Sequence, residues 1–140
     1  MASICVTQHL PHSVEAVWAL IGDFGGLHRW HPQVQRLDLS WEGRIRTLHY
    51  ADGGRVVERL EARNDAIYRY AYVLVDGTLP VHACRSRLEV RAEGGQSEVS
   101  WSSDFEPLGD GDAEAAAEAA LRMNYTAGLR AVAMALGEGG

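Results

Sequence analysis

Val17-Trp18-Ala19-Leu20-Ile21-Gly22-Asp23-Phe24-Gly25-Gly26-Leu27-His28-Arg29-Trp30-His31-Pro32 decides the reading of this chain. It starts as an amphipathic helix, breaks at a glycine pair and ends in an aromatic-His-Pro corner. Val14, Val17, Trp18, Ile21 and Phe24 recur at spacings of three and four, which makes one apolar helix face. Ser13 is a good N-cap, and Glu15 complements the positive end of the helix dipole. Gly25-Gly26 is expected to end that helix, and a second short helix is predicted over Leu27 to Trp30. Upstream, Ile4, Val6, Gln8 and Leu10 alternate with Cys5, Thr7 and His9, the period of a strand, which Pro11 stops. A strand, two small helices and the Trp30-His31-Pro32 corner so early in the chain read as the wall of a cavity.

Downstream the pattern becomes strand and hairpin. The predicted strands are Val34 to Trp41, Ile45 to Tyr50, Val56 to Ala62, Ala66 to Val75, Val81 to Ala92 and Ser97 to Phe105. Glu42-Gly43, Asp52-Gly53-Gly54, Asn64-Asp65, Asp76-Gly77 and Glu93-Gly94-Gly95 supply the turns. Turns this short imply an antiparallel meander. After Pro107 one long helix follows, capped by Asp110 or Asp112. Leu121, Tyr125, Gly128, Val132 and Leu136 form its stripe. Only this helix is long enough to cover the inner face of the sheet. A strongly curved sheet gripping one helix leaves a hollow between them. The expected class is α+β: a curved antiparallel sheet of about seven strands wrapped around a long C-terminal helix, with two short helices after the first strand.

Composition narrows the function. The chain has 140 residues, 46% hydrophobic and 23% charged, with a formal net charge of −6. That is enough for one domain with a real core, taken as residues 1–140. No basic run offers a face to phosphate backbones, so no nucleic-acid partner is expected. No apolar run approaches a membrane span, and the first residues lack the pattern of a signal peptide; no membrane partner and a cytoplasmic location are expected. Cys5 and Cys84 read as reduced thiols. Gly-rich phosphate loops, a Gly-x-Ser-x-Gly elbow and a Cys-x-x-Cys pair are all missing, so no cofactor is expected.

The order of elements now meets a set of local motifs. These are Val17-Trp18, Gly22-Asp23-Phe24, Trp30-His31-Pro32, Arg46-Thr47-Leu48, Glu58-Arg59-Leu60-Glu61, Tyr70-Ala71-Tyr72, Leu79-Pro80-Val81, Val99-Ser100-Trp101 and Phe105-Glu106-Pro107. With them the chain resembles the START-like (SRPBCC) helix-grip superfamily, most closely its bacterial polyketide cyclase/dehydrase-like branch. The resemblance implies a ligand cavity between sheet and C-terminal helix. It brings no catalytic triad or metal motif.

Within that frame individual residues acquire roles. His31 is the leading acid/base candidate, since imidazole titrates nearest neutrality; the alternative is a structural histidine bonding a carbonyl at the pocket rim. Arg46 and Glu58 are charges in apolar strands. On the concave face they would pair and orient a carbonyl or enol, with Glu58 as the second acid/base candidate; on the solvent face they would only pair across strands. Tyr68, Tyr70 and Tyr72 share one strand face, and Trp101, Ser103 and Phe105 share another. Trp30, Tyr70, Tyr72, Ser86, Trp101, Ser103 and Tyr125 are therefore expected, with Arg46, to contact ligand, against the alternative of plain core packing. Cys84 reads as a small apolar residue. His9-x-x-His12 and His28-x-x-His31 have two-histidine spacing, but neither completes a ligand set, and no metal is expected.

The function expected is binding of a small hydrophobic or aromatic, polyketide-like molecule in an internal cavity by a cofactor-free cyclase or dehydratase. The alternative is a non-catalytic binding or carrier protein for a hydrophobic small molecule. A homodimer is left open.

Overall fold

Seven strands, two α-helices and two 3-10 turns make up the computed structural model, which describes residues 2–137. Strand β1 (Ala2–Leu10) leads through Pro11 into helix α1 (Val14–Ile21). Ser13 caps α1, its hydroxyl accepting from the Ala16 N–H at 3.2 Å. Gly22, and not the glycine pair, ends α1. Asp23 then caps a 3-10 turn over Phe24–Arg29 by accepting from the Gly25 N–H at 3.0 Å, so Gly25-Gly26 lies inside the second helical element. The cap at Asp23 outranks the glycine signal because it satisfies a donor that the new turn would otherwise strand.

The meander follows: β2 (Val34–Ser40), β3 (Ile45–Tyr50), β4 (Arg55–Asn64), β5 (Arg69–Gly77), β6 (Val81–Glu93) and β7 (Gln96–Pro107). Every neighbouring pair is antiparallel, and β1 returns beside β7, giving the order β1-β7-β6-β5-β4-β3-β2. Between β4 and β5 the Asn64 side chain starts a 3-10 turn, Asp65–Ile67, and Tyr68 takes a left-handed backbone conformation at φ 54°. Tyr68 therefore leaves the strand on which Tyr70 and Tyr72 lie, and its hydroxyl turns to Glu15 at 3.3 Å.

Helix α2 (Gly111–Leu136), capped by Asp110, runs about 39 Å at 1.5 Å per residue. It buries Ala117, Leu121, Tyr125, Gly128, Leu129, Val132 and Ala133 against the concave face of the sheet. The inward positions of the strands meet it: Ile4, Leu48, Val56, Tyr70, Tyr72, Leu88, Trp101 and Phe105 are all buried. Gly128 is the point of closest approach. A Cβ there would lie 2.7 Å from the His31 ring and 2.9 Å from the Trp101 ring, so only glycine lets the helix come this near. Among the described residues no helix is long and apolar enough to cross a membrane.

Candidate functional site

Strand register brings the inward side chains together. Arg46 on β3 sits directly opposite Glu58 on β4. Tyr72, Ser86 and Ser103 form one row across β5, β6 and β7. Trp101 and Leu88 face each other one step along. Helix α2 closes over these rows with Tyr125. Its hydroxyl lies 3.3 Å from the Ser86 oxygen and bonds Ser103 as well, while Ser86 and Ser103 are 2.7 Å apart. The helix is thus pinned to the sheet by three hydroxyl groups.

Between the middle of α2 and the sheet lies a cavity of about 550 Å³. Leu48, Val56, Leu74, Leu121 and the Trp101 ring make its apolar wall, and Tyr50, Glu58, Tyr72, Cys84, Ser86, Asn124 and Tyr125 its polar points. The β3–β4 turn at Asp52 and Gly54, the β5–β6 loop at Thr78 to Pro80, and Met123 of α2 lie along its rim. Met123 is 70% exposed there.

The charged centre is the Arg46–Glu58 pair. Arg46 is fully buried behind the wall. Phe24 and Tyr72 flank its guanidinium at 4.1 and 4.7 Å, and its Nη1 donates to the Phe24 carbonyl at 2.9 Å. Its Nε donates to Glu58 Oε1 at 2.8 Å, and Nη2 lies 2.8 Å from the same oxygen, out of line for a second bond. Both contacts fall on Oε1. The other carboxylate oxygen, Oε2, is left to the cavity that Glu58 lines. Burial raises the Glu58 pKa, and Arg46 opposes the rise. Arg46 stays protonated, because a carboxylate this close outweighs the cost of its burial. Burial also raises the phenols of Tyr50, Tyr72 and Tyr125, so these remain neutral hydrogen-bond donors. The Cys84 thiol is raised in the same way and stays protonated, a poor nucleophile.

The sequence-predicted residues separate into three groups. Glu58, Tyr72, Ser86, Trp101 and Tyr125 line the cavity. Arg46, Ser103 and Tyr70 stand behind it: Arg46 holds Glu58, Ser103 holds Tyr125, and the Tyr70 ring packs 5.7 Å from Phe24. Trp30 and His31 are buried off the cavity wall, against the far side of Trp101 at ring distances of 5.6 and 6.0 Å. His31 is held at both ring nitrogens. Nδ1 accepts from the Gln33 N–H at 3.2 Å, and Nε2 donates to the Asn124 carbonyl at 2.9 Å. This is the arrangement of a neutral imidazole joining two backbone segments, and burial lowers its pKa accordingly. The histidine pairs diverge. His9 meets Gln96 and Glu93, while His12 Nε2 donates to the Gly137 carbonyl.

Tyr50, Asn124 and the two rim loops are cavity residues that the sequence reading passed over. Tyr50 was within reach of the period-two rule, since it follows Arg46 and Leu48 on one strand face. Asn124 and the loop residues carry no such signal; they depend on where α2 crosses the sheet.

A family model described as polyketide cyclase / dehydrase and lipid transport matches residues 1–137. No curated protein matches the chain. Among solved structures it is similar to the XoxI protein of Bacillus cereus, at 34% identity and a TM-score of 0.89, covering 96% of this chain and 95% of that one. An uncharacterized Bacillus thuringiensis protein is also 34% identical, at a TM-score of 0.88 and coverages of 96% and 98%. The Zhui aromatase/cyclase of a Streptomyces species shares the fold at a TM-score of 0.79 and 17% identity, over 94% of this chain and 91% of that one.

Proposed function

From the premise that this chain belongs to the polyketide cyclase/dehydrase and lipid transport family, we propose that it binds a small aromatic or polyketide-like molecule with at least two carbonyls in the cavity under α2 and cyclises or dehydrates it without a cofactor. One observation carries this reading: a buried carboxylate whose inner oxygen is held by Arg46 and whose outer oxygen faces an aromatic cavity. A pure carrier needs no such group, and burying an ion pair without function is a poor source of stability.

In this reading Glu58 Oε2 removes a proton from carbon next to a carbonyl. The enolate carbon attacks a second carbonyl of the same folded molecule and forms the ring bond. The resulting alkoxide takes the proton back from Glu58, and loss of water can follow. Tyr50 and Tyr72, neutral phenols on the wall, supply donors for the enolate oxygen. The shape of the cavity holds the chain in a near-attack conformation. His31, with both nitrogens engaged by backbone, serves in this reading as a structural tie between two backbone segments and not as the acid/base group.

The test uses α-tetralone, a bicyclic aryl ketone, in deuterated buffer. The protein should accelerate deuterium uptake at the carbon beside the carbonyl, followed by NMR. Glu58→Gln should lose about 10²–10⁴ of that acceleration. Tetralone that binds, seen by quenching of Trp101, without any accelerated exchange would favour the carrier reading and remove the enzyme.

A further inference from the structure

The cavity is electrically one-sided. Among the described residues its lining contains two carboxylates, Glu58 in the wall and Asp52 at the rim, and no arginine, lysine or histidine. Arg46 stands behind Glu58 and spends its contacts on Oε1 and on the Phe24 carbonyl. Arg46 itself is not among the lining residues; its guanidinium lies against the rings of Phe24 and Tyr72, of which Tyr72 lines the cavity. What a ligand meets is therefore the negative end of the buried pair.

Around that end stand electron-rich rings. Tyr50, Tyr72, Trp101 and Tyr125 all line the cavity, with Trp101 and Tyr125 stacked at 4.2 Å and nearly parallel. Rings of this type attract cations over their faces. A carboxylate oxygen with no donor among the described residues, in a cavity lined by aromatic rings, is the complement of an N–H⁺ group. Burial raises the pKa of Glu58 in spite of Arg46, so a ligand cation that replaces lost solvation at the carboxylate stabilises its charged form. A ligand carboxylate would face the opposite situation, since it would meet Oε2 with no cation between them.

Resting on the reading of the cavity as a site for small aromatic molecules, we propose that it selects by charge. Aromatic molecules that bring a protonated amine to Glu58 Oε2 are taken, and those that bring a carboxylate are refused. Glu58 is the specificity-determining residue. The oxygen that accepts a proton from a ketone is the same one that accepts the N–H⁺ bond of an amine, so amines also compete with ketones for it. Free fatty acids and aryl acids are excluded as cargo.

Titration calorimetry near neutral pH with three matched probes tests this: 2-naphthylmethylamine, 2-naphthylmethanol and 2-naphthoate. The amine should bind at least about tenfold tighter than the alcohol, as a charge-assisted hydrogen bond requires, and naphthoate weakest. Glu58→Gln should bring the amine and the alcohol together. The double variant Arg46→Met/Glu58→Leu, which leaves no unpaired buried charge, should do the same if Glu58→Gln fails to fold. Alcohol binding as tightly as amine, or naphthoate binding tightest, would overturn the proposal and leave the cavity reading intact. An amine preference that survives both variants would also overturn it, by moving the determinant to Asp52. Heat from none of the three probes would sink the cavity reading itself, and this proposal with it.

Discussion

A histidine engaged at both nitrogens by backbone groups has spent its chemistry before any ligand arrives. His31 joins the Gln33 N–H to the Asn124 carbonyl, and Gln33 and Asn124 both border the cavity. Replacing it with alanine should cost about 2–4 kcal/mol, from two stranded backbone groups and the space left beside Trp101. The loss should be seen as a lower melting temperature, with tetralone exchange by the surviving folded protein near normal. A fall in exchange of a hundredfold in protein that still melts normally would restore His31 as the acid/base group. The same histidine sets a pH dependence. Burial lowers its folded pKa from the ordinary value near 6.5, against the pull of the Asn124 carbonyl. The unfolded chain therefore binds the proton more readily. The stabilisation is complete above the ordinary value and is lost as pH falls through the lowered one. Melting temperature should drop between neutral and mildly acid pH in the wild type and flatten in His31→Ala. The carboxyls of Asp38 and Asp65, held low by His49 with Arg36 and by Arg63 with Trp18, add their losses only in stronger acid.

At the scale of elements, α2 decides how wide the cavity is. Gly128 fixes the distance between helix and sheet, so Gly128→Ala sets a gain in helix propensity of about 1 kcal/mol against a methyl group forced onto His31 and Trp101. Overpacking should win. The variant is expected to melt lower, and the Trp101 emission should shift as the stack with Tyr125 opens. Higher stability would mean that the helix can slide away from the sheet freely. The elements themselves were largely legible in the residues. Asp52-Gly53-Gly54 makes the β3–β4 hairpin, with Gly53 at φ 92°, and Asp110, one of the two aspartates expected before the alanine run, caps α2. Local chemistry suffices there, because a turn or a cap is settled within a few residues. Tyr68 fails by the same logic. Period two continues through it, but the 3-10 turn that Asn64 caps ends on Tyr68, and β5 starts only at Arg69. The face of Arg46 and Glu58 stayed open in the sequence because one step of register inverts every side chain. The burial of both residues, with Glu58 in the cavity wall, resolves it.

On the whole-molecule scale, the structure surrounds about 550 Å³ of unfilled space with a well-packed shell. A shell of this kind tolerates a larger side chain aimed inward, provided the space is real. Cys84→Phe should therefore keep the unfolding free energy within about 1 kcal/mol of the wild type, unlike the usual cost of overpacking. It should weaken naphthylmethanol binding at least about tenfold. A strongly destabilised Cys84→Phe would mean that the cavity wall has no room. The buried pair has a further consequence, for inheritance. Arg46 without Glu58 leaves a sealed guanidinium with no counterion, and Glu58 without Arg46 leaves its inner oxygen bare, so each single loss costs about 3–5 kcal/mol. Exchange of both for apolar residues crosses no such barrier once complete. A lineage can then abandon the pair only by passing through a damaged intermediate or by changing both codons at once. Descendants of this chain should keep the two together or lack the two together, and the pair travels through evolution as a single character.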